Sequence, residues 1–277
     1  MRDARQRREP EMAQEKWLLD GPKTIDLEGI HRLKVGLVGG HVDIVGHDEP
    51  GVRVEVHSVK GRELLVQLDG DRLEIDHPQL RWDNWIDVFK NFGSSIRAEV
   101  SVLVPRDVAV TLGVVSADAL VAGLEADAQL NTVSGDLVAD GLTGKLTANS
   151  VSGEVTVRDH AGTVGINTVS GDVIASGAVT RFDVDGVSSE VMLDATGIPD
   201  AVRVNTVSGA VTARLEPETP ASYTVQTVGG KLQLDAQSIT VVKGRYTARH
   251  GELDQRWTDV RINTVGGDVS ILHAVRA

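Results

Sequence analysis

Short runs of Val, Leu, Ala and Ile, broken by Gly, Ser and Asp, fill the centre of the chain, and the pattern returns at a fixed interval. Asn131-Thr132-Val133-Ser134-Gly135-Asp136-Leu137, Asn149-Ser150-Val151-Ser152-Gly153-Glu154-Val155 and Asn167-Thr168-Val169-Ser170-Gly171-Asp172-Val173 lie eighteen residues apart. The same step backwards reaches Gly113-Val114-Val115-Ser116-Ala117-Asp118-Ala119, and forwards Asp185-Gly186-Val187-Ser188-Ser189-Glu190-Val191. Looser copies begin at Asn205, Gln226 and Asn263, where the spacing widens to 20, 21 and 37 residues. Stacked in phase, the units align two aliphatic columns, Val115-Val133-Val151-Val169-Val187 and Ala119-Leu137-Val155-Val173-Val191, and both are expected to form ladders of like side chains facing the interior, away from water. A second short strand follows about nine residues into each unit, as at Gly144-Lys145-Leu146-Thr147-Ala148, with Gly123, Gly141 and Gly177 marking the turns.

Each repeat thus reads as two strands and their corners. One such coil cannot bury its own apolar face, whereas coils stacked about 4.8 Å apart pair every backbone group with a neighbour above and below. A helical repeat is excluded by glycines and β-branched residues at fixed positions, each internal glycine costing a helix about 1 kcal/mol. Propeller blades need longer periods, and a left-handed hexapeptide helix needs an aliphatic residue every six positions, which these units lack. The pattern predicts an all-β, parallel, single-stranded β-solenoid with about 18 residues per coil. Upstream, the runs 33–44, 52–56, 64–68 and 73–75 read as strands, and Gly39-Gly40-His41-Val42 echoes Gly266-Gly267-Asp268-Val269. The expected organisation is a mobile tail over 1–16, an irregular N-terminal β region and cap over 17–112, continuous with the solenoid, and solenoid repeats over 113–277.

Composition sharpens this picture. Hydrophobic residues are 41% of the chain and charged residues 25%, enough for a continuous core, while aromatics at 3% suit a narrow aliphatic interior. A net charge of -12 argues against nucleic acid as a partner. Without cysteine there is no disulfide framework, thiol nucleophile or Cys-based metal site. The N-terminus carries basic residues but no apolar run before Trp17-Leu18-Leu19, and no stretch has the roughly 20 apolar residues of a bilayer span. The expectation is a cytoplasmic protein as written, with peripheral association at the envelope still open.

Candidate chemistry is repetitive too. Asp118, Asp136, Glu154, Asp172 and Glu190 recur at one repeat position and form a candidate ligand or cation ladder. At about 4.8 Å, neighbouring charges repel by about 1 kcal/mol in water and about 3.5 kcal/mol at an effective dielectric of 20, so the ladder must be wet, partly protonated or cation-bound. Solvated turn carboxylates, weak Ca²⁺ sites and a surface for a cationic peptide all satisfy that condition. Ser116, Ser134, Ser152, Ser170, Ser188 and Ser208 form a hydroxyl column, and six equivalent serines select no nucleophile. Asn131, Asn149, Asn167 and Asn205 fit stacked amides at a bend that tolerates left-handed backbone. The eight histidines lack a zinc-protease spacing, and His41 and Asp43, with His47 and Asp48 nearby, read as a strand surface, so neither a metal nor a cofactor is predicted. Within Leu80–Phe92, Trp82, Trp85, Ile86, Phe89 and Phe92 form an aromatic cluster, with Trp85, Ile86, Phe89 and Phe92 at helical spacing, a plug for the solenoid end or a partner patch.

At its Thr-Val-Ser-Gly-Asp units the chain resembles the bacterial "putative adhesin" domain family. The resemblance extends to the entry strand ending in Gly39-Gly40-His41-Val42-Asp43-Ile44, to Val102-Leu103-Val104-Pro105 before the first coil, and to Ile262–Val269, and it covers about Asp20 to His273. It implies one right-handed β-helix-like domain without assigned catalysis, in a family linked to surface adhesion and envelope stress. The function expected is a non-catalytic, adhesin-like structural or interaction module with a protein partner, a glycan being the other ligand class. Two rivals stay open: a β-helical polysaccharide lyase or hydrolase, against which stands the recurrence of the carboxylates at every coil, and a self-assembling scaffold.

Overall fold

The computed structural model describes residues 14–77, 96–240, 244–253 and 255–273, and among them every regular element is a strand. The first eight are β1 (Gln14–Leu19), β2 (Lys23–Leu27), β3 (Arg32–His47), β4 (Val52–Lys60), β5 (Leu64–Asp69), β6 (Arg72–Asp76), β7 (Arg97–Pro105) and β8 (Ala109–Ala122). The repeats contribute β9 (Ala128–Thr132), β10 (Leu137–Asp140), β11 (Thr143–Ser150), β12 (Val155–Ser170), β13 (Val173–Ser188), β14 (Val191–Ala195), β15 (Ala201–Asn205) and β16 (Val211–Leu215). The last six are β17 (Ala221–Thr227), β18 (Lys231–Leu234), β19 (Gln237–Thr240), β20 (Gly244–His250), β21 (Thr258–Thr264) and β22 (Val269–His273).

Parallel pairing stacks these strands into a β-solenoid with two faces that meet at a corner. One face runs through β8, β9, β11, the second half of β12, the second half of β13 and β15; the other runs through β8, β10, the starts of β12 and β13, β14 and β16. The predicted column Ala119-Leu137-Val155-Val173-Val191 is in register and buried. Facing it, Val110, Ala128, Leu146, Val164, Phe182 and Val202 stack in the same way. Each fully buried Val or Leu contributes roughly 1.5–3 kcal/mol relative to exposure, so these columns dominate the stability of a coil that has few ion pairs. Gly123, Gly141 and Gly177 turn the chain between faces with φ of 67°, 61° and 131°, values open to glycine at little cost.

The other predicted column corrects the reading. Val115, Val133, Val151, Val169 and Val187 stack, but outward: Val133 is half-buried, and Val151, Val169 and Val187 are exposed. The position before each, Thr132, Ser150 or Thr168, takes the interior instead, and strand alternation then turns valine to solvent.

At both ends the chain leaves sequential order. β3 lies between β8 on one side and β6 and β7 on the other, and the outer layers close with antiparallel pairs, β4 on β7, β2 on β4, β5 on β6 and β1 on β5. Gln14, Glu15 and Lys16, expected in the mobile tail, pair with Asp69, Leu68 and Gln67, because the return strand β5 offers them a backbone ladder. At the C-terminal end β21 and β22 stack on β15 and β16, and the earlier β17 and β18 lie outside them. β20 and β19 then pair antiparallel with β17 and β18. Such returns satisfy backbone groups that a bare terminal coil would leave as an open edge.

Candidate functional site

The corner between the two faces carries the repeated motif, and nearly every position in it has a structural use. Thr132 Oγ1 donates to the Gly135 carbonyl at 2.8 Å and accepts the Gly135 N–H at 3.0 Å, and Ser150 with Gly153 repeats both distances. The buried hydroxyl thus closes the turn from inside. A Cβ on Gly135 would sit 1.8 Å from the Ala117 carbonyl oxygen, and one on Gly153 2.0 Å from that of Gly135, so coils can approach here only without a side chain. Outside the turn, the Ser134, Ser152 and Ser170 hydroxyls donate to the carbonyls of Val115, Val133 and Val151 in the coil before, at 3.1, 3.0 and 3.2 Å.

Asparagine amides run along the stack. Asn149 Nδ2 donates to Asn131 Oδ1 at 2.8 Å and Asn167 Nδ2 to Asn149 Oδ1 at 2.9 Å; further on, Asn205 donates to Asp185 at 2.8 Å and Asn263 to Asn205 at 2.7 Å. These residues stand within or at the ends of strands rather than in left-handed bends, which corrects the backbone expected for them.

The acidic series occupies the exposed side of the corner. Asp118 Oδ1 accepts the Asp136 N–H at 3.1 Å, Asp136 Oδ1 the Glu154 N–H at 3.0 Å, and Asp172 Oδ1 the Glu190 N–H at 3.3 Å. Each of these aspartates therefore caps a backbone donor of the next coil. The longer Glu154 turns to Thr156 Oγ1 at 2.7 Å.

One motif position does none of this. Val151, Val169, Val187, Val207, Val265 and Val228, in stacking order, are 38, 51, 46, 49, 50 and 61% exposed. At about 4.8 Å per layer they form an apolar row roughly 24 Å long. The amide ladder runs two residues before it along the chain and the carboxylates three residues after. Ile174 and Met192, in register on β13 and β14, add exposed apolar surface past the corner.

Residues 30–272 match the model of the Toastrack DUF4097 family. The chain belongs to this family. No curated protein matches it. Solved structures similar to this Toastrack chain include a putative adhesin from Bacteroides fragilis, 10% identical over 92% of this chain and 98% of that one, with a TM-score of 0.44. Others are a putative cell adhesion protein from Clostridium sporogenes (14% identity, 91% and 100% coverage, TM-score 0.32) and a putative lipid binding protein from Parabacteroides distasonis (13%, 92% and 97%, TM-score 0.37). The resemblance read from the Thr-Val-Ser-Gly-Asp units holds, and the protein is a Toastrack domain.

Elsewhere in the domain, His41 Nε2 and Asp43 Oδ1 share an exposed hydrogen bond of 2.9 Å on β3. A depression of about 890 Å³ opens at the N-terminal end among Asp26, His47, Asp48, Glu49 and Arg53; there Asp26 is tied to Arg53 at 2.7 Å and Asp48 to Arg106 at 2.6 Å. The aromatic cluster Trp82, Trp85, Ile86, Phe89 and Phe92 lies outside the described residues. A group that sequence reasoning missed is Asp235, His250 and His273, whose ligating atoms all lie within 4.8 Å of one another. Burial, and then the neighbouring His250, push the His273 imidazole below its ordinary pKa, against the opposing pull of Asp235.

Proposed function

We propose that this Toastrack domain is a non-catalytic interaction module, and that the corner valine row is where a protein partner docks. The supporting observation is the repeated exposure of one aliphatic side chain at six consecutive layers, in a motif whose other positions are used to hold the coils together. Strand propensity does not choose valine over threonine at such a place, since both are β-branched and favour extended backbone. Carboxylates beside the row, on a chain of net charge -12, suit a partner that presents apolar side chains flanked by basic ones.

A photo-crosslinking residue placed at Val169, and in a control at the exposed Lys145, tests this in the native cell. The expected outcome is one discrete protein adduct from position 169 that is absent from position 145 and disappears when Val151 and Val187 are both changed to Asp. Identical adducts from both positions, or adducts indifferent to the double change, would overturn the reading.

A further inference from the structure

The strongest unassigned feature is at the C-terminal end, where three segments distant in sequence converge. Asp235 sits in the turn between β18 and β19, His250 ends β20, and His273 ends β22. His273 Nδ1 lies 3.2 Å from both carboxylate oxygens of Asp235, and His250 Nδ1 lies 3.8 Å from Asp235 Oδ2. The carboxylate is itself fixed, because the His273 backbone N–H donates to its Oδ1 at 2.6 Å.

We propose that Asp235, His250 and His273 bind one Zn²⁺ ion through the carboxylate and the two Nδ1 atoms, with solvent in the fourth position. Two imidazoles and one carboxylate form a donor set for a borderline transition metal, whereas Ca²⁺ and Mg²⁺ ask for oxygen alone. Metal–donor distances of about 2.0–2.2 Å place the donors of a tetrahedral site about 3.3–3.6 Å apart. The observed 3.2 and 3.8 Å bracket that spacing.

The far nitrogens support the assignment. His250 Nε2 lies 3.3 Å from the Pro217 carbonyl, which only accepts, so this nitrogen carries the hydrogen. With the hydrogen on Nε2, Nδ1 is the nitrogen that offers a lone pair, 3.8 Å from Asp235 Oδ2, as a metal ligand must. His273 Nε2 is held by the Tyr223 hydroxyl at 3.1 Å. A ligating histidine usually has its other nitrogen anchored in this way, which fixes ring orientation.

The two rings stack at 3.7 Å with 9° between their planes, and a metal cannot lie in two parallel planes at once. Binding therefore requires one ring to tilt. His250 is the one free to do so, being partly exposed at the end of an outer antiparallel strand, whereas the His273 side chain is buried. The bound ion would clip the turn after β18, the return strand β20 and the end of β22 into one unit, closing the stack at the end where the repeat loses its period.

The experiment uses the untagged full chain stripped with EDTA and titrated calorimetrically with Zn²⁺, and in parallel with Co²⁺ followed by visible absorption. One equivalent of Zn²⁺ should bind, Co²⁺ should give the intense visible bands of a four-coordinate site, and Zn²⁺ should raise the melting temperature by several degrees. Asp235→Asn, which keeps a residue tolerant of the φ of 50° found there, and His250→Ala should each weaken Zn²⁺ binding at least tenfold. Their melting temperatures in EDTA should stay within a few degrees of the parent. Absence of a saturable one-to-one site in the parent overturns the proposal, as does undiminished binding in both variants. Should a variant fail to fold, imidazole ¹⁵N spectra of the parent decide: Zn²⁺ must shift the Nδ1 resonances of two histidines, and no shift leaves only a hydrogen-bonded cluster.

Discussion

In the middle of the solenoid, neighbours in space are eighteen residues apart, and Asn149 reaches Asn131 at 2.8 Å. At the C-terminal end Asn263 makes the same bond to Asn205, at 2.7 Å, across 58 residues. Coils therefore stack by the chemistry of the corner and not by order along the chain. Lengthening the closed loop from eighteen to 58 residues costs only about 1 kcal/mol of closure entropy, little against a terminal coil that would otherwise expose its backbone edge. The two regions share a tightly filled glycine position at the corner and differ at the position before it. An added Cβ at Gly153 meets the Gly135 carbonyl oxygen at 2.0 Å, and one at Gly230, the same position in the outermost coil, meets the Gly267 carbonyl oxygen at 2.4 Å; around Gly229, which stands where the central coils carry Ser134 and Ser152, nothing lies within 4 Å.

That contrast gives the largest expected effect. Gly153→Ala drives a methyl group into the backbone of the coil before, which is held by corners above and below, and should cost about 3 kcal/mol. Gly229→Ala should cost nothing, or stabilise by up to about 1 kcal/mol through the reduced freedom of the unfolded chain. Urea unfolding of the two variants measures the gap, and equal losses would mean that the two adjacent corner positions are packed alike.

The regular region contains one interruption of its own. Leu124 and Leu142 are buried at one repeat position, and eighteen residues on the same position is His160, buried with no hydrogen-bond partner at either ring nitrogen. Asp159 before it adopts a φ of 47°, and the pairing of β12 with β13 slips by one residue there. Burial pushes the imidazole below its ordinary pKa, and the nearby backbone of Thr163 and Gly144 opposes this only in part. Above about pH 6.5 neither folded nor unfolded chain holds the proton, so the contribution of His160 to stability does not change. As pH falls through 6.5 the unfolded chain takes up a proton that the folded one refuses, and stability drops until the lowered folded pKa is reached. His160→Leu should stabilise by about 1–3 kcal/mol at pH 7.5, the usual cost of an unsatisfied buried polar group, and by more at pH 5. Unfolding curves at both pH values test the sign: a gap that narrows towards acid would show that the imidazolium finds a partner.

How far these features were legible in the sequence depends on whether the period survives. The coil, the glycine turns and the column Ala119 to Val191 follow from identical residue types at a fixed step. The valine column was assigned to the wrong side because two valine-rich columns look alike in hydropathy. The distinguishing signal was the hydroxyl residue before it, since Thr132, Ser150, Thr168, Thr206, Thr227 and Thr264 can each close a turn from within. The exchange of the last two coils leaves no local mark, because it is settled by loop closure over tens of residues. Asp235, His250 and His273 were invisible for the same reason: β18, β20 and β22 meet only once the chain has turned back on itself.

The smallest effect tests the amide ladder across the join between the two regions. Every amide from Asn149 to Asn263 donates towards the preceding coil, but at one layer the sequence places Asp185, which accepts from Asn205 at 2.8 Å and has no donor to return to Asn167, its register partner. Two acceptors therefore face each other between the coils of Asn167 and Asp185. Asp185→Asn supplies the missing N–H while keeping an oxygen for Asn205, and so should connect the central ladder to the terminal one. The site is exposed, so the expected gain is about 0.5–1.5 kcal/mol, the net value of one hydrogen bond exchanged with water. Asp185→Ala separates the two contributions: it removes the facing carboxylate but also the acceptor for Asn205, and should not reproduce the gain. If Asn and Ala stabilise equally in urea unfolding, relief of repulsion is the whole effect and the ladder adds nothing across the join.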